Sequence, residues 1–201
     1  MKSVLKYAQV VLTLTLVVMA LMLLIDRSKV SKVRGQMDEY IKTNFSKFQR
    51  STELMIRNDG LYIDNFMIFD VANNRETDLN SVLDNDSCAL VLRISQYSCS
   101  SCTEYAVQKV NDFLKEKNKA KIMIWGEFDN SRDAKIFKDS HLVNDFYWVS
   151  ELSLPIEDLS FPYLFVINRD RSASCVFTLE RDGKALNDMY LELMSERFDW
   201  N

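Results

Sequence analysis

The chain has 201 residues, 47% hydrophobic and 27% charged, with only 4 Gly and 2 Pro. That composition excludes a disordered, collagenous or turn-rich all-β polypeptide and leaves a compact mixed α/β domain. Charge is split along it: residues 1–58 carry 10 Lys or Arg against 4 Asp or Glu, and residues 59–201 carry 15 against 25. A folded part this acidic argues against nucleic acid, which needs a positive footprint, whereas anionic lipid headgroups suit the basic stretch.

From Tyr7 to Ile25 no residue is charged. As a helix rising about 1.5 Å per residue, this segment spans roughly 28 Å, close to a bilayer core. It runs into Asp26-Arg27 without an A-x-A-like cleavage site, so residues 1–26 are expected to remain as a transmembrane signal anchor. Lys2 and Lys6 precede the segment and Arg27, Lys29, Lys32 and Arg34 follow it, so charge counting alone favours a cytoplasmic C-terminal part. The cysteine chemistry below favours the opposite. The expectation is a single pass through the cytoplasmic (inner) membrane with the C-terminal domain outside.

Residues 27–58 keep a helical rhythm in Val30, Val33, Met37, Tyr40, Ile41, Phe45 and Phe48, which predicts an amphipathic helical stem. Its heptad register drifts after Tyr40, where Asn44 and Lys47 follow, so pairing with a second copy is not specified. Asn58-Asp59-Gly60 then punctuates the chain and sets the expected domain at residues 59–201.

Within that domain, Leu61-Tyr62-Ile63 and Phe66 to Phe69 read as strand material, with a turn at Asn73-Asn74 and a short helix from Asp78 to Leu83. The nearly continuous apolar run Cys88 to Leu92 with Ile94 is what a strand covered on both faces requires. It ends at Tyr97-Ser98, directly before Cys99. Residues 100–117 then place Cys102, Tyr105, Ala106, Val110, Phe113 and Leu114 on one helical face. Lys121 to Trp125, Phe146 to Val149 and Tyr163 to Ile167 read as further strands, with a helix capped by Ser131 between the first two. Asn168 to Arg171 is a turn into a hairpin strand at 174–180, and 184–198 forms a closing helix.

A Cys-x-x-Cys pair at a helix start has a definite rationale. The first sulfur sits among backbone N–H groups at the positive end of the helix dipole, which favours thiolate. Cys99 is thus the expected nucleophile, and Cys102 the thiol that displaces the mixed disulfide. A zinc site would need Cys88, Cys175 or the single His141 to complete four ligands from distant elements, so no metal and no cofactor are expected. Cys88 and Cys175 read as buried thiols of strands too far apart to form a second pair. A copper carrier using His141 is a poor third reading.

The order strand, Tyr97-Ser98-Cys99-Ser100-Ser101-Cys102, helix, strand, helix, Phe161-Pro162, hairpin, helix resembles the thioredoxin fold over residues 61–198. It resembles most the membrane-anchored TlpA/ResA-type thiol-disulfide oxidoreductases. The resemblance implies an α/β fold, a thioredoxin-like mixed sheet flanked by helices, preceded by the transmembrane helix and stem. It also implies that Pro162 is cis and, with Phe161, Tyr97 and Ser98, shapes a substrate groove. The chain departs from the family in having Ser98 where Trp usually stands and Ser100-Ser101 between the cysteines. Six residues before Cys99, where thioredoxins often have Asp, stands Arg93; it would either stabilise the thiolate or turn away, its head escaping to the strand end or pairing with Glu104.

The function expected is an extracytoplasmic, membrane-tethered thiol-disulfide oxidoreductase whose partners are protein thiols or disulfides and a redox partner. The alternative is a membrane-anchored binding or adaptor module of the same fold with a non-catalytic disulfide.

Overall fold

A computed structural model describes residues 2–83, 88–117, 120, 122–150 and 152–200, with side chains from residue 31 onward and those of Met19, Met22, Arg27 and Lys29 before it. The first helix, α1, runs unbroken over Lys2–Asn58. The chain divides into two units, Met1–Lys47 and Phe48–Asn201. In the first, Val33, Met37, Tyr40, Ile41 and Phe45 of the apolar stripe are exposed. The expected membrane anchor falls mainly on side chains outside the described residues. Among the described residues, no helix is long and apolar enough to cross a membrane.

The second unit begins with the last turns of α1. Asn58 is fully buried there, its amide donating to Leu54 O at 2.7 Å and its Oδ1 accepting from Ile156 N at 3.2 Å. Gly60 then takes a left-handed φ of 73°, which a side chain would resist, and lets the chain leave the helix. Strands β1 (Met67–Asp70) and β2 (Arg75–Asp78) form an antiparallel hairpin, followed by the short α2 (Leu79–Leu83). Next come β3 (Cys88–Ser95), α3 (Ser100–Glu116), β4 (Ile122–Glu127), α4 (Ser131–His141) and β5 (Phe146–Trp148). A 3-10 helix at Pro155–Leu159 leads to β6 (Tyr163–Asn168), β7 (Ala173–Thr178) and α5 (Lys184–Arg197).

The strands form one seven-stranded sheet in the order β2-β1-β5-β4-β3-β6-β7. β3, β4 and β5 are parallel, as strand-helix-strand connections demand, while β6 runs antiparallel beside β3 and β7 antiparallel beside β6. This is a thioredoxin-like mixed sheet flanked by helices, with β2 and the 3-10 helix added to the elements read from the sequence. Leu61-Tyr62-Ile63 makes only a bridge, Tyr62 to Ser172, against the start of β7. The α4 cap is Asn130 rather than Ser131, its side chain accepting from Asp133 N at 3.0 Å.

Alternation along β3 divides the core. Leu90, Leu92 and Ile94 pack with Val107 and Val110 of α3 and Leu191 of α5. Val91 faces the other way, among Trp125, Phe165, Leu79 and Ile156. Gly126 in β4 is a close-approach position: a Cβ there would come within 2.5 Å of Phe146 and 2.6 Å of Phe128.

Candidate functional site

Cys99 is the N-cap of α3, and its carbonyl accepts from Cys102 N and Thr103 N, both at 3.0 Å. The next N–H groups, of Ser100 and Ser101, lie in the first turn, where no intrahelical carbonyl exists to accept them. The helix therefore presents its positive end beside the Cys99 sulfur. Cys99 and Cys102 form a disulfide with Cα atoms 5.2 Å apart, ordinary spacing for such a bond. Cys99 is exposed and Cys102 half-buried, because Cys102 is already one turn into a helix whose inner face carries Thr103, Ala106 and Val107. Ser101 Oγ lies 3.3 Å from Cys99 Sγ.

A cleft of about 300 Å³ opens beside this loop and brings together Arg93, Tyr97, Ser98 and Phe161 from four of the expected positions. Tyr97 is 66% exposed and hydrogen-bonds Asp129, which raises the phenol pKa and lowers that of the carboxyl. Phe161 stands at the rim under the Arg50 guanidinium, 5.7 Å from its ring centre, and Arg50 also reaches Glu180 at 3.9 Å. Pro162 is buried behind Phe161, its carbonyl accepting from Leu179 N at 3.1 Å. None of the described peptide bonds is cis, so the expected cis Phe161-Pro162 bond is corrected to trans. The intrinsic X-Pro preference is only about 0.5–1 kcal/mol, so the dipeptide itself does not dictate the isomer.

Arg93 is 1% exposed at the carboxyl end of β3 and makes no pair with Glu104, which lies on the outer face of α3. Instead its Nη2 meets Glu157 at 2.8 Å and Glu127 at 3.4 Å, and its Nε donates to Glu157 at 3.1 Å. The carbonyls of Val149 and Ser150 take further donors at 3.2 and 3.1 Å. Burial opposes its charge, but Glu157, Tyr163 and Glu127 together outweigh it and hold the guanidinium above its ordinary pKa. Tyr163 also donates to Glu157, at 2.5 Å; burial and that carboxylate push the phenol well above its usual range.

The sequence reading missed Glu157, Glu127, Tyr163 and Asn58. The one available signal was Arg93 itself, since a cation inside a buried apolar strand needs a carboxylate partner. Asn58 connects to this cluster by holding Ile156, the neighbour of Glu157.

Cys88 and Cys175 are half-buried thiols on β3 and β7, separated by β6, and do not form a second disulfide. His141 ends α4 and stacks on Phe137 at 4.1 Å. Among the described residues no group of three His, Cys, Asp or Glu is placed to hold a metal ion.

No protein-family model and no curated protein sequence matches the chain. Among solved structures it is similar to the peroxidoxin BcpB from Mycobacterium tuberculosis, with 19% identity over 67% of this chain and 94% of that one and a TM-score of 0.48. It is also similar to a thiol peroxidase from Chromobacterium violaceum, at 14% identity, coverage of 67% and 86%, and a TM-score of 0.42. A third, BsSco of the Sco family of cytochrome c oxidase assembly proteins, has 13% identity, coverage of 66% and 94%, and a TM-score of 0.44. Likeness at this level concerns the path of the chain and says nothing about substrate. The described residues form a thioredoxin-like mixed sheet with a disulfide at the head of the α3 helix.

Proposed function

We propose that the chain is a membrane-tethered, TlpA/ResA-type thiol-disulfide oxidoreductase working outside the cytoplasm, with Cys99 as nucleophile and Cys102 as resolving thiol. The observation that carries the chemistry is the exposed Cys99 at the helix N-cap, joined to a half-buried Cys102. In the reduced chain the Cys99 thiolate attacks a substrate disulfide, forming a mixed disulfide and releasing one substrate thiolate. Cys102, as thiolate, then attacks Cys99 Sγ. The second substrate sulfur leaves as thiolate and the Cys99-Cys102 disulfide forms, so two electrons pass from protein to substrate. Tethering is supported by the uncharged run from Tyr7 to Ile25.

Trapping tests this reading. Cys102→Ala should hold Cys99 in a thiol-sensitive adduct with its partner, visible as a high-mass band on non-reducing gels of native membranes. An adduct from Cys99→Ala alone would reverse the roles. No adduct from either variant would favour the binding module with a static disulfide.

A further inference from the structure

A second cleft, of about 400 Å³, lies beside the one at the disulfide loop, and both are lined by Tyr97 and Glu127. It is built from the β1-β2 hairpin and the ends of β4 and β5, with Phe69, Phe128 and Trp148 as its aromatic wall. That wall is fixed in place: Trp148 Nε1 donates to Phe128 O at 2.9 Å and its ring meets Phe69 edge-on with centres 6.1 Å apart. The two clefts adjoin at Tyr97 and Glu127 and together make a groove that extends from Phe161 at one end to Met67 and Glu76 at the other.

The groove has an uneven charge. Its lining holds one arginine, the buried Arg93, against the carboxylates of Glu76, Glu127 and Glu157, so two negative charges stand uncompensated. Glu157 is saturated by Arg93, Tyr163 and the Leu152 N–H. Glu127 touches Arg93 through Oε2 alone, at 3.4 Å, and Glu76 is exposed on the hairpin. Asp129 adds a further carboxylate where it hydrogen-bonds Tyr97. The cation at the far rim, Arg50, is already paired with Glu180. Carboxylates interleaved with ordered aromatic faces suit a cationic side chain, whose alkyl stem packs on the rings while its head meets the acids.

We propose that this groove receives the polypeptide flanking the substrate's cysteine and selects substrates that carry lysine or arginine beside it. The inference rests on the exchange reading above, and names the substrate class for that same site. In the exchange step the Cys99 thiolate attacks the sulfur of the bound segment, and the sulfur previously joined to it departs with the electron pair. The groove adds no covalent step; it raises the local concentration of the correctly charged segment.

The test uses the full chain in detergent and synthetic peptides with one central cysteine flanked by lysine, alanine or glutamate. With the cysteine capped as a thionitrobenzoate disulfide, attack by reduced Cys99 releases coloured thionitrobenzoate. The lysine peptide should react about tenfold faster than the glutamate peptide at low salt, and added salt should close the gap. Glu76→Gln and Glu127→Gln should each narrow it. Glu196→Gln, an equal charge change on exposed α5 outside the groove, should leave it intact. Serine-for-cysteine versions of the peptides read binding without chemistry, by displacement of a fluorescent lysine peptide from the oxidised chain. Equal reactivity of the lysine and glutamate peptides overturns the proposal, as does a Glu196→Gln effect matching that of Glu76→Gln. If the serine peptides bind with the lysine preference but no cysteine peptide reacts, the groove stands and the exchange reading falls.

Discussion

Tyr163 stands directly opposite Arg93 in the antiparallel β3-β6 register, and both side chains end on the same carboxylate, that of Glu157. A hydrogen-bonded ionic cluster thus lines the same cleft as Tyr97 and Ser98 of the cysteine loop. Its members depend on one another, because a buried guanidinium without its acid is far costlier than the pair.

Glu157→Ala should therefore destabilise the protein by about 3–5 kcal/mol by leaving Arg93 partly uncompensated. Pulse proteolysis of the full chain measures this. Glu157→Gln, which keeps acceptors for Arg93 but removes the charge, should fall between the alanine variant and the parent. Equal stability of all three would show that Glu127 and the two carbonyls suffice.

Two buried tyrosines should make stability fall in alkali. Tyr163 and Tyr190 are both held well above the ordinary value of 10.0, each mainly by burial. With folded pKa values raised, the unfolded chain loses these protons first as pH climbs past 10.0. Stability from this source is complete below that pH and declines above it. Tyr163→Phe should flatten the decline, read as the slope of unfolding free energy between neutral and strongly alkaline buffer. An unchanged slope would assign the alkaline loss elsewhere.

Exposure and the helix terminus should make Cys99 the faster thiol in the reduced protein. Limiting alkylation followed by mass mapping should label Cys99 ahead of the half-buried Cys102, Cys88 and Cys175. Labelling of Cys102 first would invert the assigned roles.

Topology governs whether the disulfide persists, since a cytosolic thiol pool would keep the pair reduced. Protease added to intact spheroplasts should digest residues 27–201 and spare a cytosolic control. Protection until detergent is added would put Cys99 and Cys102 inside and favour a binding or sensing role.

Much of the fold was legible because its signals are local. Cys88 to Leu92 and Tyr163 to Ile167 are continuous apolar runs, and both lie in central strands. The cysteine pair at the start of an amphipathic segment marked both a helix terminus and its chemistry. By contrast β2, Arg-Glu-Thr-Asp, is a polar edge strand without hydrophobic alternation, so nothing in its sequence distinguishes it from a loop. The Arg93 cluster was illegible for a different reason. Its acid, Glu157, lies 64 residues downstream in a 3-10 turn, whereas Glu104 is near in sequence but on the wrong face of α3. Long-range pairing of this kind is decided by topology, and no periodicity announces it.

The two margins of the sheet are closed by unlike means. At one, β2 presents Arg75, Glu76 and Asp78, charges that discourage an incoming strand. At the other, backbone bonds from residues 60–63 cover the start of β7: Gly60 N donates to Ala173 O and Ala173 N to Leu61 O, each at 2.8 Å. Beyond that cover, the β6-β7 register shifts between Leu164 and Val166, and Cys175 takes a φ of 53° that breaks the ladder a newcomer would extend. An incoming strand therefore finds no straight edge to zip onto. On the proposed exchange reading, a substrate polypeptide meets the strand ends instead, where side chains rather than backbone pairing do the selecting.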